Sequence, residues 1–195
     1  MQTTTTLHPG PAVPTRGNGF SRWLGRLAFN GLGWRFEGSI PNLPKAVVIV
    51  APHTSNWDFV IGVAAMFAVG IRVVFLGKHT LFRPPLGRLM RWLGGLPVDR
   101  RAASGVVDEA IGMFAQHDSM ILALSPEGTR RRVARWKTGF YYVAVGADVP
   151  IVPVAFNYST RVIRFGAPLR PSGDLETDLR RLSEFFAHAT GFKMT

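Results

Sequence analysis

His53 and Asp58 are the first residues in the chain whose side chains and spacing suit acid–base catalysis. They lie five positions apart in the segment Pro-His-Thr-Ser-Asn-Trp-Asp. An apolar run predicted to be a strand ends just before this segment, and α/β sheets place their sites at the carboxyl ends of strands. The spacing lets the carboxylate meet the imidazole, fix its tautomer and stabilise the cation formed on proton uptake. The pair therefore indicates a general base with its partner. Taken alone, it also fits a structural hydrogen-bonded pair.

The chain lacks the two sequence features that would supply an activated nucleophile to this base. It contains no cysteine and no Gly-x-Ser-x-Gly segment that would seat an activated serine. The substrate must therefore bring its own hydroxyl. We also predict no metal site, because the histidines show no zinc-ligand spacing; they are His8, His53, His79, His117 and His188.

A second polar group, Pro-Glu-Gly-Thr-Arg at residues 126–130, follows an apolar strand predicted at 120–124. If that strand runs parallel to the one before the histidine, both groups emerge at the same sheet edge. Gly128 permits a tight turn. Arg130 offers a planar fork for a phosphate, and Glu127 can orient that arginine or accept a substrate hydroxyl. The alternative is a surface Glu–Arg pair that contributes little.

Two further basic features indicate phosphate binding. Residues 94–100, Gly-Gly-Leu-Pro-Val-Asp-Arg, again place glycines before a predicted strand and an arginine, Arg100, after it. Lysine and arginine also cluster at Arg131, Arg132, Arg135 and Lys137. Basic runs are usually solvated faces, so we leave Arg131 and Arg132 out of the site.

The overall charge predicts an acidic partner. Lys and Arg number 23 against 12 Asp and Glu, a formal net charge of +11 that attracts phosphates, anionic lipid headgroups or nucleic acid. We expect no nucleic-acid partner, since no nucleic-acid fold signature accompanies the charge. A non-catalytic binder of anionic lipid or nucleic acid remains the alternative, although such a protein does not need the histidine–aspartate pair.

The pattern of helices and strands that would position these residues predicts a single α/β domain. The 195 residues are 47% hydrophobic, which suits one core, and from Lys45 onwards short β-branched runs alternate with helical patterns. This alternation predicts a mixed, mostly parallel sheet flanked by helices. We predict strands at 46–51, 72–76, 96–98, 120–124 and 151–156, an edge strand at 161–165, helices at 104–117 and from 175 to a stop at Gly191, and a buried helix in the apolar run 59–71, which is too short to span a bilayer.

Two segments precede this domain, which we place at 35–190. Residues 1–19 lack the apolar core of a signal peptide and are predicted to be a disordered leader. Residues 20–34 are predicted to form an amphipathic helix that either lies on a bilayer or packs on the core. Its arginines and Trp34 favour lipid. The apolar side comprises Phe20, Trp23, Leu24, Leu27 and Ala28, while Arg22 and Arg26 point elsewhere.

Four segments together resemble, in order and spacing, the motif blocks of the glycerolipid acyltransferase family, which includes bacterial 1-acylglycerol-3-phosphate acyltransferase. They are His53-x4-Asp58, Gly-Leu-Pro-Val-Asp-Arg at 95–100, Pro-Glu-Gly-Thr-Arg at 126–130 and Val-Pro-Ile-Val-Pro-Val at 149–154. The resemblance covers residues 35–170. Departures from the common pattern at Pro52, Thr80 and Pro97 fall where acceptor preference could be set.

The resemblance implies acyl transfer from acyl-CoA or acyl carrier protein to the hydroxyl of a lysophospholipid, without an acyl-enzyme and without a cofactor. The expected acceptor is 1-acylglycerol-3-phosphate, and another lyso-lipid such as a lyso-ornithine lipid is the alternative. His53 would be the general base and Asp58 its partner. The implied substrate-binding residues are Arg100, Glu127, Gly128, Thr129, Arg130, Lys78 and Lys137. We expect a peripheral, monotopic protein on an anionic membrane surface, at the cytoplasmic face of the cell membrane.

Overall fold

The protein is described by a computed structural model that covers residues 7–52, 55, 57–98, 103–127 and 136–190. Within these ranges the strands are β1 (Arg35–Glu37), β2 (Lys45–Ala51), β3 (Val74–Lys78), β4 (Gly95–Val98), β5 (Met120–Leu124), β6 (Ile151–Asn157) and β7 (Val162–Phe165). The α-helices are α1 (Gly19–Gly31), α2 (Trp57–Val69), α3 (Gly87–Trp92), α4 (Ala103–Gln116), α5 (Gly139–Gly146) and α6 (Leu175–Thr190).

The strands form one mixed sheet in the order β1-β7-β6-β2-β5-β3-β4. Strands β2 to β6 run parallel to one another, whereas β7 is antiparallel to β6 and carries β1 parallel to itself. The predicted α/β class, with a mostly parallel sheet and an N-terminal amphipathic helix, is confirmed. The strand predicted at 161–165 is not at the edge, because β1 pairs with it on its outer side.

The sheet is covered on both faces, which explains why its central strands are apolar throughout. One core contains Val47, Ile49 and Leu122 of the sheet with Phe140 of α5 and Leu182 of α6. The core on the other face contains Ala46, Val154 and Phe156 with Phe29 of α1 and Ile61 of α2. The helices α1 and α2 therefore lie on the opposite side of the sheet from α5 and α6.

The segment before α1 does not match its prediction as a disordered leader. From Leu7 onwards the chain lies on the domain, and Val13 is buried. The guanidinium of Arg16 lies over the rings of Phe67 and Trp92, 4.6 and 5.0 Å from their centroids, and donates to the carbonyls of Trp92 and Leu93 at 3.1 Å. The composition of this segment is typical of disorder, but these tertiary contacts fix it. Residues 1–6 lie outside the described ranges.

The N-terminal helix turns one side to the domain and leaves the other exposed. Gly25 and Phe29 are buried, and Arg26 Nε donates to the Ala68 carbonyl of α2 at 3.2 Å. A Cβ on Gly25 would lie 2.5 Å from Ala68 N, so only glycine permits this close approach of the two backbones. The apolar side predicted from the sequence is exposed along its whole length and is called the apolar face of α1 below: Phe20, Trp23, Leu24, Leu27 and Ala28. The alternative interpretation, in which this face packs on the core of the domain, is therefore wrong.

None of the helices in the described ranges is both long enough and apolar enough to cross a bilayer.

Candidate active site

The carboxyl ends of the parallel strands bring several of the predicted site residues to one edge of the sheet. Ala51 of β2 lies beside Ala155 of β6, and Ile49 lies beside Leu124, the last residue of β5. The segments that follow these three strands therefore leave the sheet side by side. This confirms the parallel arrangement on which a shared site for the histidine and Pro-Glu-Gly-Thr-Arg segments depends.

Asp58 occupies the first turn of α2, immediately beyond this edge, and only 4% of it is exposed. Its Oδ2 accepts a hydrogen bond from Ser55 N at 2.8 Å. The Ser55 hydroxyl in turn accepts from Trp57 N at 3.1 Å, so the turn that enters the helix is closed by its own polar groups. A carboxylate is favoured here because the N-terminus of a helix carries partial positive charge.

The second carboxylate oxygen of Asp58 accepts a hydrogen bond from a different element of the fold. The Tyr158 hydroxyl, just past the end of β6, donates a hydrogen bond to Asp58 Oδ1. Burial, together with the hydrogen bond to the Asp58 carboxylate and its negative charge, raises the pKa of Tyr158 above its ordinary value. The phenol therefore remains a protonated donor at neutral pH.

The sequence did not indicate Tyr158 as a partner of Asp58. It stands in the segment Asn-Tyr-Ser-Thr directly after a strand that was correctly predicted. The sequence does place a polar aromatic residue at the carboxyl end of β6, the strand that pairs with β2, and this position could have indicated Tyr158 as a site residue. Its partner is 100 residues away in the chain, so no local spacing could reveal the contact.

Glu127 lies at the same edge, two residues beyond Ser125, and is buried with 4% exposure. The neighbouring Ser125 Oγ is also buried and has no hydrogen-bond partner among the residues that the structure describes. Lys137 is joined to this segment, since its backbone N–H donates to the Pro126 carbonyl at 2.8 Å. The returning chain is anchored by Trp136, whose ring packs edge-on against Phe186 at 5.2 Å.

Lys78 ends strand β3 with its side chain exposed, level with Val98 at the end of β4. It therefore lies at the same sheet edge as Asp58 and Glu127. The other predicted site residues, His53, Arg100, Gly128, Thr129 and Arg130, lie outside the described ranges. Their roles stay predictions.

This arrangement can support base chemistry on a bound hydroxyl. Both carboxylate oxygens of Asp58 accept hydrogen bonds from described groups, which offsets the cost of burying the charge and fixes its direction. A carboxylate fixed in this way can orient an imidazole and stabilise its cation. Among the described residues there is no group of three or more histidine, aspartate or glutamate side chains that could hold a metal ion.

The sequence model of the Acyltransferase family matches residues 36–157. The chain is 29% identical over 143 residues to 1-acyl-sn-glycerol-3-phosphate acyltransferase of Haemophilus influenzae, covering 69% of this chain and 58% of the relative. It is 31% identical over 163 residues to the Escherichia coli enzyme of the same name, covering 78% of this chain and 64% of that one. The chain thus spans about three fifths of the length of these bacterial relatives.

A solved structure shares the fold. The 1-acyl-sn-glycerophosphate (LPA) acyltransferase PlsC from Thermotoga maritima superposes with a TM-score of 0.65 at 22% sequence identity. The superposition covers 87% of this chain and 76% of that one. At this level of identity the likeness concerns the arrangement of helices and strands.

Proposed function

Because this chain belongs to the Acyltransferase family, we propose that it transfers a fatty acyl group from acyl-CoA or acyl carrier protein to the hydroxyl of a lysophospholipid. The acceptor we propose is 1-acylglycerol-3-phosphate, the substrate in the names of both bacterial relatives. The product is then phosphatidic acid. The buried Asp58, fixed by two hydrogen bonds at the sheet edge and inside the matched segment, is the observation that carries the proposal.

In the proposed mechanism His53 is the general base. It takes the proton of the acceptor hydroxyl as that oxygen attacks the thioester carbonyl, and it returns the proton to the leaving thiolate. Asp58 fixes the tautomer and stabilises the imidazolium. General base catalysis contributes roughly 10²–10⁴-fold in rate, so positioning of the substrates and stabilisation of the oxyanion supply the rest. No acyl-enzyme, cofactor or metal takes part.

The acceptor phosphate is proposed to bind beside this pair. Arg100 and Arg130 follow β4 and β5 in the sequence and supply the planar forks, and Glu127 with Gly128 and Thr129 shapes the turn. Lys78 and Lys137 add positive charge at the same edge. The position of Glu127 next to the carboxyl end of β2, and the backbone hydrogen bond between Lys137 and Pro126, support this grouping.

The acceptor is a lipid, and we propose that the protein reaches it as a peripheral, monotopic protein at the cytoplasmic face of the cell membrane. The apolar face of α1 is exposed, and α3 adds the exposed side chains of Leu89 and Trp92 close to it, since both helices contact Phe67 of α2. The net charge of +11 suits anionic headgroups. Deleting residues 1–34 would remove the buried Phe29 and Trp34 as well, so substitutions on the exposed face are the cleaner test.

The function is tested by assaying the purified protein with a panel of lyso-lipid acceptors, including 1-acylglycerol-3-phosphate and a lyso-ornithine lipid, against both thioester donors. We expect the highest kcat/KM with 1-acylglycerol-3-phosphate and no turnover by His53→Ala. Preference for an acceptor without phosphate would overturn the acceptor assignment. Normal turnover by a folded His53→Ala variant would overturn the mechanism.

A further inference from the structure

Tyr158 links three parts of the chain that are distant in sequence. Its hydroxyl donates to Asp58 Oδ1 in the first turn of α2, and its ring meets Trp34, the residue directly before β1, edge-on at 5.1 Å and 90°. Trp34 is itself buried and packs on Phe156 at 5.9 Å. The phenol is therefore supported from the core although 39% of Tyr158 is exposed.

Two hydrogen bonds to Asp58 come from different elements. Ser55 N belongs to the turn that enters α2, and the Tyr158 hydroxyl belongs to the loop that leaves β6. The Ser55 bond holds Oδ2 from within the same turn. The Tyr158 bond holds Oδ1 from a neighbouring strand end, so it adds a restraint on the plane of the carboxylate that the turn itself does not supply.

We propose that Tyr158 is a positioning residue for acyl transfer, which acts by holding the Asp58 carboxylate in the orientation that His53 needs. This inference rests on the proposed function, since it takes His53 as the base. The family match ends at residue 157, so Tyr158 lies just beyond the segment on which the family assignment depends. By donating to the carboxylate, Tyr158 also draws off part of the negative charge that Asp58 presents to the imidazole.

The test variant is Tyr158→Phe, which keeps the ring on Trp34 and removes only the donor. We expect kcat to fall about tenfold, the size of effect that one lost charge-assisted hydrogen bond can produce, with the acceptor KM changed by less than about twofold. Without the donor, Asp58 presents more negative charge and the pKa of His53 rises. Because the base must be neutral to act, the acid limb of the kcat/KM profile should then move to higher pH.

The shift of the kcat/KM profile with pH reports on the His53–Asp58 pair, because Tyr158→Phe leaves the other titratable groups at this edge unchanged. In the described part of the chain these are Lys78 at the end of β3, Glu127 after β5, and Lys137 against Pro126. The matched control is Tyr142→Phe, which removes a phenolic hydroxyl from an exposed residue of α5 on the other face of the sheet. Thermal unfolding of each variant reports on the fold independently of activity.

A double-mutant cycle shows whether Tyr158 acts through Asp58. In an Asp58→Ala background we expect Tyr158→Phe to cause no further loss of kcat. An equal loss in both backgrounds, an unchanged kcat and pH profile, or a raised acceptor KM alone would each overturn the proposal. Failure of the proposed function gives a different result, because the unsubstituted protein would then transfer no acyl group to any acceptor; turnover retained by His53→Ala would instead overturn the role of His53 as the base.

Discussion

Replacing Trp23 and Leu27 together by serine should weaken binding to anionic vesicles and leave the fold intact. These side chains are 56% and 57% exposed on the apolar face of α1, away from the buried Phe29. Full burial of such a side chain is worth about 1.5–3 kcal/mol, and roughly half of each remains to be buried, so insertion of the pair contributes about 1.5–3 kcal/mol. Since 1.4 kcal/mol is tenfold in an equilibrium constant, vesicle binding should fall about 10- to 140-fold.

The assay is sedimentation with vesicles of phosphatidylglycerol and of phosphatidylcholine, at low and high salt. The matched control is Tyr142→Ser with Val145→Ser on α5, where the side chains are 52% and 48% exposed on the opposite side of the sheet. For the unsubstituted protein, salt should release only part from anionic vesicles, because it screens the charge but not the apolar contact. Equal losses by the two double variants, or unchanged binding by the α1 variant, would refute the reasoning. A detergent-dispersed acceptor should be turned over equally by all three proteins.

Three further predictions concern the site and the fold. His53→Ala should abolish transfer while Asp58→Asn retains weak activity, measured as kcat, because in the proposed mechanism the aspartate orients and stabilises the imidazole but transfers no proton. Arg100→Ala and Arg130→Ala should each raise the acceptor KM with a smaller effect on the donor KM, since each would remove the charge-assisted contact proposed for it; if only the donor KM changed, these arginines would be assigned to the donor site instead. Asp178→Ala should lower the free energy of unfolding by about 2–4 kcal/mol in denaturant titration, because it leaves buried donors without their acceptor.

The stability prediction follows from a buried network on α6. Asp178 has no exposed surface, and its Oδ2 accepts from Ser172 N at 2.6 Å, from the Ser172 hydroxyl at 3.0 Å and from the Tyr141 hydroxyl at 3.0 Å. Burial, with the hydrogen bond to Asp178 and its charge, raises the pKa of Tyr141, so this phenol stays protonated as a donor. Arg180→Ala on the solvent side of the same helix is the control and should cost less than about 0.5 kcal/mol. An equal loss in both variants would contradict the network's role.

The sequence predicted those elements whose residues carry their own pattern. The runs 46–51 and 120–124 are apolar throughout because both sheet faces are covered, and they match β2 and β5 closely. The run 72–76 was placed two residues early: the Arg72 backbone N–H donates to the Pro14 carbonyl instead of entering the sheet, and the strand begins at Val74. That shift depends on a contact with a distant segment.

The missed elements lack a local pattern. Strand β1 consists of Arg-Phe-Glu and exists because it pairs with β7. Helix α5 was not predicted, since its sequence is apolar on nearly every side and shows no helical period. Helix α3 has only six residues, too few for periodicity to show. In the site, the motif spacing indicated Asp58 and Glu127 directly, but the tyrosine that fixes Asp58 depends on folding.

The close contact at Gly25 has a consequence for the proposed attachment to a lipid surface. The backbones of α1 and α2 approach closely there, and Asp58 stands at the start of the same α2. In the proposed orientation, the angle between the two helices sets the height of the Asp58 edge of the sheet above the headgroups. A bulkier residue at position 25 would push the two helices apart, and it would change that height without altering any side chain on the apolar face of α1.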